Sequence, residues 1–230
     1  MPTLDHIPAP VLQFLRDLAG HNDRDWFKAN RDRYDAVRQH MVDFAETVHD
    51  RLGRHDVLEP QSGKQILFRI YRDVRFSKDK SPYKTNFAGY IKRSGKLRRG
   101  GFYFHIQPGG SFVGGGFWNP NKEDLLRIRT ELAADARPLR EIIAGPAFQK
   151  TFGELHGDAV KTAPKGFSRD HPDIDLIRHK QFVVSRQFSD PEVQRAGFAD
   201  AVVETFNAML PFFDYMSEVL TTDANGQPLV

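Results

Sequence analysis

Phe102-Tyr103-Phe104-His105-Ile106-Gln107 places a large apolar side chain at every second position, with more polar groups between. A period of two is that of a β-strand with one buried face and one more polar face. Pro108-Gly109-Gly110 follows as a turn, and Ser111–Trp118 continues in extended chemistry. On the N-terminal side, Ser94-Gly95 separates this strand from Phe87–Lys92, and a further apolar stretch, Ile66–Tyr71, reads as the first strand of the series. Consecutive short strands joined by tight turns predict an antiparallel sheet in the centre of the chain.

Helical periodicity flanks this centre. Tyr34, Val37, Met41, Phe44, Ala45, Val48 and Leu52 recur at steps of three and four, a stripe that needs a core to face. Val11–Leu18 reads as a shorter helix ended by Gly20 at C′, and Asn22 as the cap of a segment through Trp26 and Phe27. Trp26-Phe27 reads as a hydrophobic wedge at that helix junction. Beyond the sheet, Asn121 is placed to cap Lys122–Ala134, and Leu139–Ile143 continues past Pro138. An extended piece, Lys180–Phe188, precedes Ser189-Asp190-Pro191-Glu192, a helix start with proline at the first position. The helix it begins carries Val193, Phe198, Val202, Phe206 and Met209, and Pro211 kinks or restarts it toward Val219 and Leu220. Helices, then strands, then helices predict an α+β fold: an antiparallel sheet from the central region packed against N-terminal and C-terminal helices. The expected organisation is a single domain over residues 1–230.

Composition narrows the function classes. The chain has no cysteine, which removes disulfides, thiolate metal sites and a cysteine nucleophile. MPTLDHIPAPVLQFL is not a secretory leader, and no stretch approaches the roughly 20 apolar residues of a membrane span, so a cytoplasmic protein without membrane partners is expected. The net charge of +3 is unevenly spread. Lys64 to Arg99 holds 12 Lys or Arg against Asp73 and Asp79, a local net of +10, and the remainder is net −7. Such a concentration creates a local positive potential that favours an anionic partner.

Within it lies the most distinctive run of the chain, Arg69-Ile-Tyr-Arg-Asp-Val-Arg-Phe-Ser-Lys-Asp-Lys-Ser-Pro-Tyr-Lys-Thr-Asn86. Arg69, Arg72 and Arg75 carry guanidinium forks suited to carboxylate or phosphate. Lys78, Lys80 and Lys84 follow on a loop marked by Ser81-Pro82, where binding residues concentrate. Tyr71, Phe76 and Tyr83 interleave rings with the cations, the combination used for nucleotides and single-stranded nucleic acid. The opposing reading is structural: Asp73 and Asp79 pair with the arginines, Phe76 is core, and the lysines are a solvated face.

This run resembles the defining motif of an uncharacterised, mainly bacterial family, domain of unknown function number 2461. Asn22 through Trp26-Phe27, Gly114-Gly115-Gly116-Phe117-Trp118, Ala163-Pro164-Lys165-Gly166-Phe167 and His171-Pro172 are similar to the same family. The resemblance spans roughly the whole chain and implies a stand-alone domain of this length. It brings no activity, substrate or catalytic residue with it.

Other constellations read less distinctively. His105 is either a general acid/base or an ordinary hydrogen-bonded residue on the sheet face. Asp170-His171-Pro172-Asp173 with Asp175 offers oxygen and imidazole donors, but no second histidine stands at ligand spacing, and Asp170 or Asp173 reads better as a cap for Ile174–Arg178. No metal and no cofactor is therefore expected. Gly114-Gly115-Gly116 is either an anion-contacting backbone or, in better keeping with a strand, a bulge or tight strand crossing. Three function classes stand side by side. One is a binding domain for a phosphate-bearing ligand, nucleotide or nucleic acid. Another is an enzyme in which Arg72 and Arg75 hold an anionic substrate, Asp73 or His105 moves a proton and Tyr83 orients. The third is a protein-interaction or structural module.

Overall fold

Residues 4–95, 98–222 and 227–229 are described by a computed structural model of the chain; Lys96 of the basic stretch lies outside them. The first helix, α1 (Ala9–Gly20), buries Val11, Leu12, Phe14, Leu15 and Leu18. Gly20 is its last residue rather than C′, and the helix stops there without a left-handed turn. The next helix, α2 (Arg24–Ala29), is capped by Asp23, whose carboxylate accepts from the Asp25 and Trp26 N–H groups, both at 2.9 Å. The expected cap, Asn22, is committed to another contact, and the carboxylate beside it suits the positive end of a helix better. Helix α3 (Arg31–Leu52) buries all seven positions of the predicted stripe.

The first expected strand does not form. Ser62 and Gln65 close a capping box that turns Gly63–Ile66 into a short helix, α4, so Ile66 is spent on a helical turn. The residues after it make two isolated antiparallel bridges, Leu67 to Gly89 and Tyr71 to Tyr83. Four steps along one segment span six along the other, a slip that a continuous ladder does not tolerate.

The strands that do form are β1 (Phe87–Lys92), β2 (Gly101–Ile106) and β3 (Ser111–Phe117), followed by α5 (Lys122–Ala134), α6 (Arg137–Ala144), α7 (Pro146–Thr151) and α8 (Ile174–Ile177). Then come β4 (Phe182–Phe188), α9 (Asp190–Val193), α10 (Phe198–Asn207) and α11 (Leu210–Thr221). Among the described residues the strands pair antiparallel in the order β1-β2-β3-β4. Asn121 caps α5 through a 2.8 Å bond from the Asp124 N–H, within the predicted bounds. Asp173 does not cap α8; its carboxylate accepts instead from Arg140 Nε at 2.6 Å. The predicted helix from Pro191 onward is two helices, because Gly197, at φ +84°, breaks it in a conformation that glycine adopts freely.

The glycine triplet in β3 is a strand crossing. A Cβ on Gly116 would lie 2.2 Å from the Phe182 carbonyl oxygen, and one on Gly115 would lie 2.7 Å from that of Gly101. Only a residue without a side chain lets β3 pack this closely against the backbone on both sides.

The chain forms two compact units. One comprises Met1–Ile91, Tyr103–Val113 and Gln187–Glu204, the other Lys92–Phe102, Gly114–Arg186 and Thr205–Val230. In the first, Phe44 of α3 meets Phe104 edge-on at 6.0 Å and stacks on Phe198 at 5.5 Å. In the second, Phe102 packs on Phe206 and Phe213 at 5.0 and 5.2 Å. Each such ring contributes about 1.5–3 kcal/mol by leaving water. The fold is α+β, with apolar faces of the sheet and helices buried together.

Candidate anion site

The basic run lies wholly in the first unit. Its two ends pair: Phe68 N–H donates to Ala88 O at 2.9 Å, Lys84 N–H to Ile70 O at 2.7 Å and Arg72 N–H to Pro82 O at 2.9 Å. Between them the chain loops out from Asp73 to Ser81, and two aspartates shape that loop. Asp73 accepts from the Arg75 N–H at 3.3 Å, and Asp79 from the Ser81 N–H at 2.9 Å, each a turn made by a side chain two residues back.

The same carboxylates take up two of the three arginines. Arg72 reaches across the loop to Asp79, with its second nitrogen 3.4 Å from Ser77 Oγ. Arg75 grips Asp73 with Nε at 2.9 Å and Nη2 at 2.7 Å. The hydroxyl and N–H of Ser81, with Arg72, hold the Asp79 carboxyl well below the usual carboxylate range. Asp73 is lowered by the Arg75 side chain and then by its N–H. Asp73 is therefore an exposed carboxylate already paired with Arg75.

The lysines divide. Lys80 Nζ donates to the Val74 carbonyl at 3.0 Å and lines a cavity of about 510 Å³ with Asn22, Asp23, Arg24, Val74, Ser81 and Pro82. Lys78 is exposed and, among the described residues, carries no ion pair. Lys84 stands half-buried with its ammonium 5.7 Å from the centre of the Phe68 ring. Burial, and then the neighbouring Arg69 charge, push its pKa down. Neither Lys84 nor Arg69 is in a salt bridge among the described residues, although the Arg69 charge helps to lower the Asp73 carboxyl. Of the six cations, Arg69 and Lys84 are thus neighbours without a salt bridge, whereas Arg72 and Arg75 are each paired with an aspartate.

The rings sort by burial. Tyr83 is only 6% exposed and stacks on Phe27 at 4.0 Å, so the residue expected to orient a substrate is a packed anchor. Its successor in an extended segment, Lys84, points to the opposite side. Trp26-Phe27 is the expected wedge in the sense that Phe27 is buried against Phe14, Tyr34 and Tyr83. Phe76 is not core: it is 97% exposed at the loop, with the Arg75 guanidinium 5.9 Å from its ring. Phe68, at 48% exposure, is a ring that sequence reading passed over. Its position beside Arg69 in a segment leaving the core was the available signal.

His105 lies on the half-buried face of β2. Its Nε2–H donates to Gln107 Oε1 at 2.8 Å, and its Nδ1 accepts from the Tyr103 hydroxyl at 3.0 Å. The ring stacks on Phe112 at 4.9 Å. Burial depresses its pKa, which the Gln107 bond only partly offsets. His171 likewise has both nitrogens engaged, with Ala133 O at 3.1 Å and the Asp173 N–H at 3.0 Å. Asp173 and Asp175 hold Arg140, each at 2.6 Å. No group of three or more metal-ligating side chains occurs among the described residues, and no described helix is long and apolar enough to cross a membrane.

The model of the family described as conserved hypothetical protein, domain of unknown function 2461, matches residues 10–215. The chain belongs to this family. The match covers the whole basic run, so the loop with its paired aspartates and the Lys84–Phe68 contact lie inside the family domain. No curated protein and no solved structure matches the chain.

Proposed function

We propose that this member of the family binds a phosphate-bearing ligand, nucleotide or nucleic acid, through Lys84 and Arg69. The observation that carries the reading is the pair itself: two neighbouring cations in no salt bridge among the described residues, one of them half-buried over an exposed phenylalanine. Partly desolvated like charges raise each other's energy, and an anion placed between them removes that cost. The Phe68 ring beside them supplies a face for a flat group attached to the phosphate. The residues expected to move protons support binding better than chemistry, since Asp73 is gripped by Arg75 and His105 is engaged at both nitrogens.

Calorimetric titration of the full chain with pyrophosphate, AMP and a 12-residue thymidine oligonucleotide tests this. Binding is expected to weaken as salt rises and to be weakened in Lys84→Gln and in Arg69→Gln, with the thermal midpoint not lowered. If the parent protein binds none of the three probes, or if Lys84→Gln binds as the parent does, the reading is wrong.

A further inference from the structure

The loop from Asp73 to Ser81 spends most of its polar groups on holding its own shape, through Asp73 with Arg75, Arg72 with Asp79, Lys80 with Val74 and Ser81 with Asp79. What it presents from that braced frame is Phe76, 97% exposed, the most exposed large hydrophobic side chain among the described residues. A phenylalanine gains nothing in water from such a position. Arg75 keeps its guanidinium 5.9 Å from the ring while its charge is tied to Asp73, and Lys78, two residues on, has no ion pair among the described residues. In the same unit, Lys64 to Lys84 carries seven Lys or Arg against Asp73 and Asp79, a net of +5. An exposed ring framed by cations suits an occupant that is both flat and anionic.

We infer that the ligand is a single-stranded nucleic acid and that Phe76 is its base-stacking side chain, an inference that rests on the anion reading of Lys84 and Arg69. Bases in a duplex are already stacked on one another, so a lone ring finds a free face only on an unpaired base. A small nucleotide would be held by enclosure in a cleft, whereas Phe76 stands on a loop. In this assignment phosphates of the strand meet Lys84 and Arg69 and a base meets the Phe76 ring.

Fluorescence anisotropy of a labelled 12-residue thymidine oligonucleotide, against the same sequence in duplex form and against AMP as competitor, tests the assignment. Phe76→Ala is expected to weaken single-strand binding about 5- to 150-fold, the equivalent of one stacked base, with an unchanged salt slope and thermal midpoint. Phe76→Trp is expected to restore it. Lys84→Gln is expected to shorten the salt slope by about 0.7, the contribution of one phosphate on a single strand. If Lys84→Gln weakens binding but Phe76→Ala binds as the parent does, or if duplex or AMP binds as tightly as the single strand, the anion site stands and the stacking assignment is overturned. If the parent binds no oligonucleotide, AMP or pyrophosphate, both fall.

Discussion

The Asn22 side chain spans the main chain of Tyr83, donating from Nδ2 to its carbonyl at 3.0 Å and accepting its N–H on Oδ1 at 3.1 Å. A residue before α2 thereby fixes the segment that leads from the loop back into β1. It explains why Asn22 does not cap α2 and why Tyr83 is held flat against Phe27. Each main-chain bond of this kind contributes about 0.5–1.5 kcal/mol, so Asn22→Ala is expected to cost about 1–3 kcal/mol. The denaturant midpoint should fall with the slope unchanged. Asn22→Asp keeps the acceptor and loses the donor, and its loss is expected to lie between the two.

Arg72 has a different task from Lys84, and substitution separates them. Arg72→Lys removes a fork that reaches both Asp79 and Ser77 across the loop. A single ammonium cannot reproduce that planar contact. The expected outcome is a lower thermal midpoint and a loop more readily cut by trypsin between Lys78 and Lys80. Affinity for pyrophosphate should change little. A large loss of pyrophosphate affinity at an unchanged midpoint would place Arg72 on the ligand instead.

The two units are expected to unfold together, as one domain. Each holds only part of every strand: β1, β2, β3 and β4 are all divided between them. Calorimetric and van't Hoff enthalpies should therefore agree, and two resolved heat transitions would show two domains.

Where one period governed a segment, the sequence was enough. The α3 stripe and the bounds of β1 and α5 were legible because apolar spacing and a cap residue decide them. Ile66–Tyr71 was misread because its apolar residues answer to two masters, the capped turn at Ser62 and the slipped bridges to Tyr83 and Gly89. The break at Gly197 was present in the sequence but outweighed by the apolar spacing on either side. In the basic run, residue types announced a charged site, yet pairing could not be read from them. Whether Asp73 faces Arg69, Arg72 or Arg75 depends on how the loop turns, and the aspartates themselves make those turns. Phe76 has no apolar residue at strand or helix spacing after it, a sign of exposure that its neighbours Val74 and Tyr71 obscured.

His105 supplies a pH dependence whose sign follows from its surroundings. Tyr103 and Gln107 bond its two nitrogens, Phe112 stacks on it and Asn86 Nδ2 lies 3.5 Å away, so the groups around it are neutral. Burial among them disfavours the imidazolium, and the folded pKa lies below the ordinary value of about 6.5. Above that pH both folded and unfolded states carry a neutral ring, and the group contributes nothing to the dependence. As pH falls through about 6.5, the unfolded chain takes up a proton that the folded one resists, and stability falls until the folded pKa is reached. The slope attributable to this residue is at most about 1.4 kcal/mol per pH unit. His105→Gln should flatten the stability profile below pH 6.5 relative to the parent and leave it parallel above. His179, whose pKa is also lowered by burial, will keep a residual slope in both proteins. Nitrogen chemical shifts should show the Nε2–H tautomer at neutral pH, as the bond to Gln107 requires. A His105 ring that titrates above 6.5, or profiles that stay parallel below it, would mean that the ring is solvated and open to a charged partner.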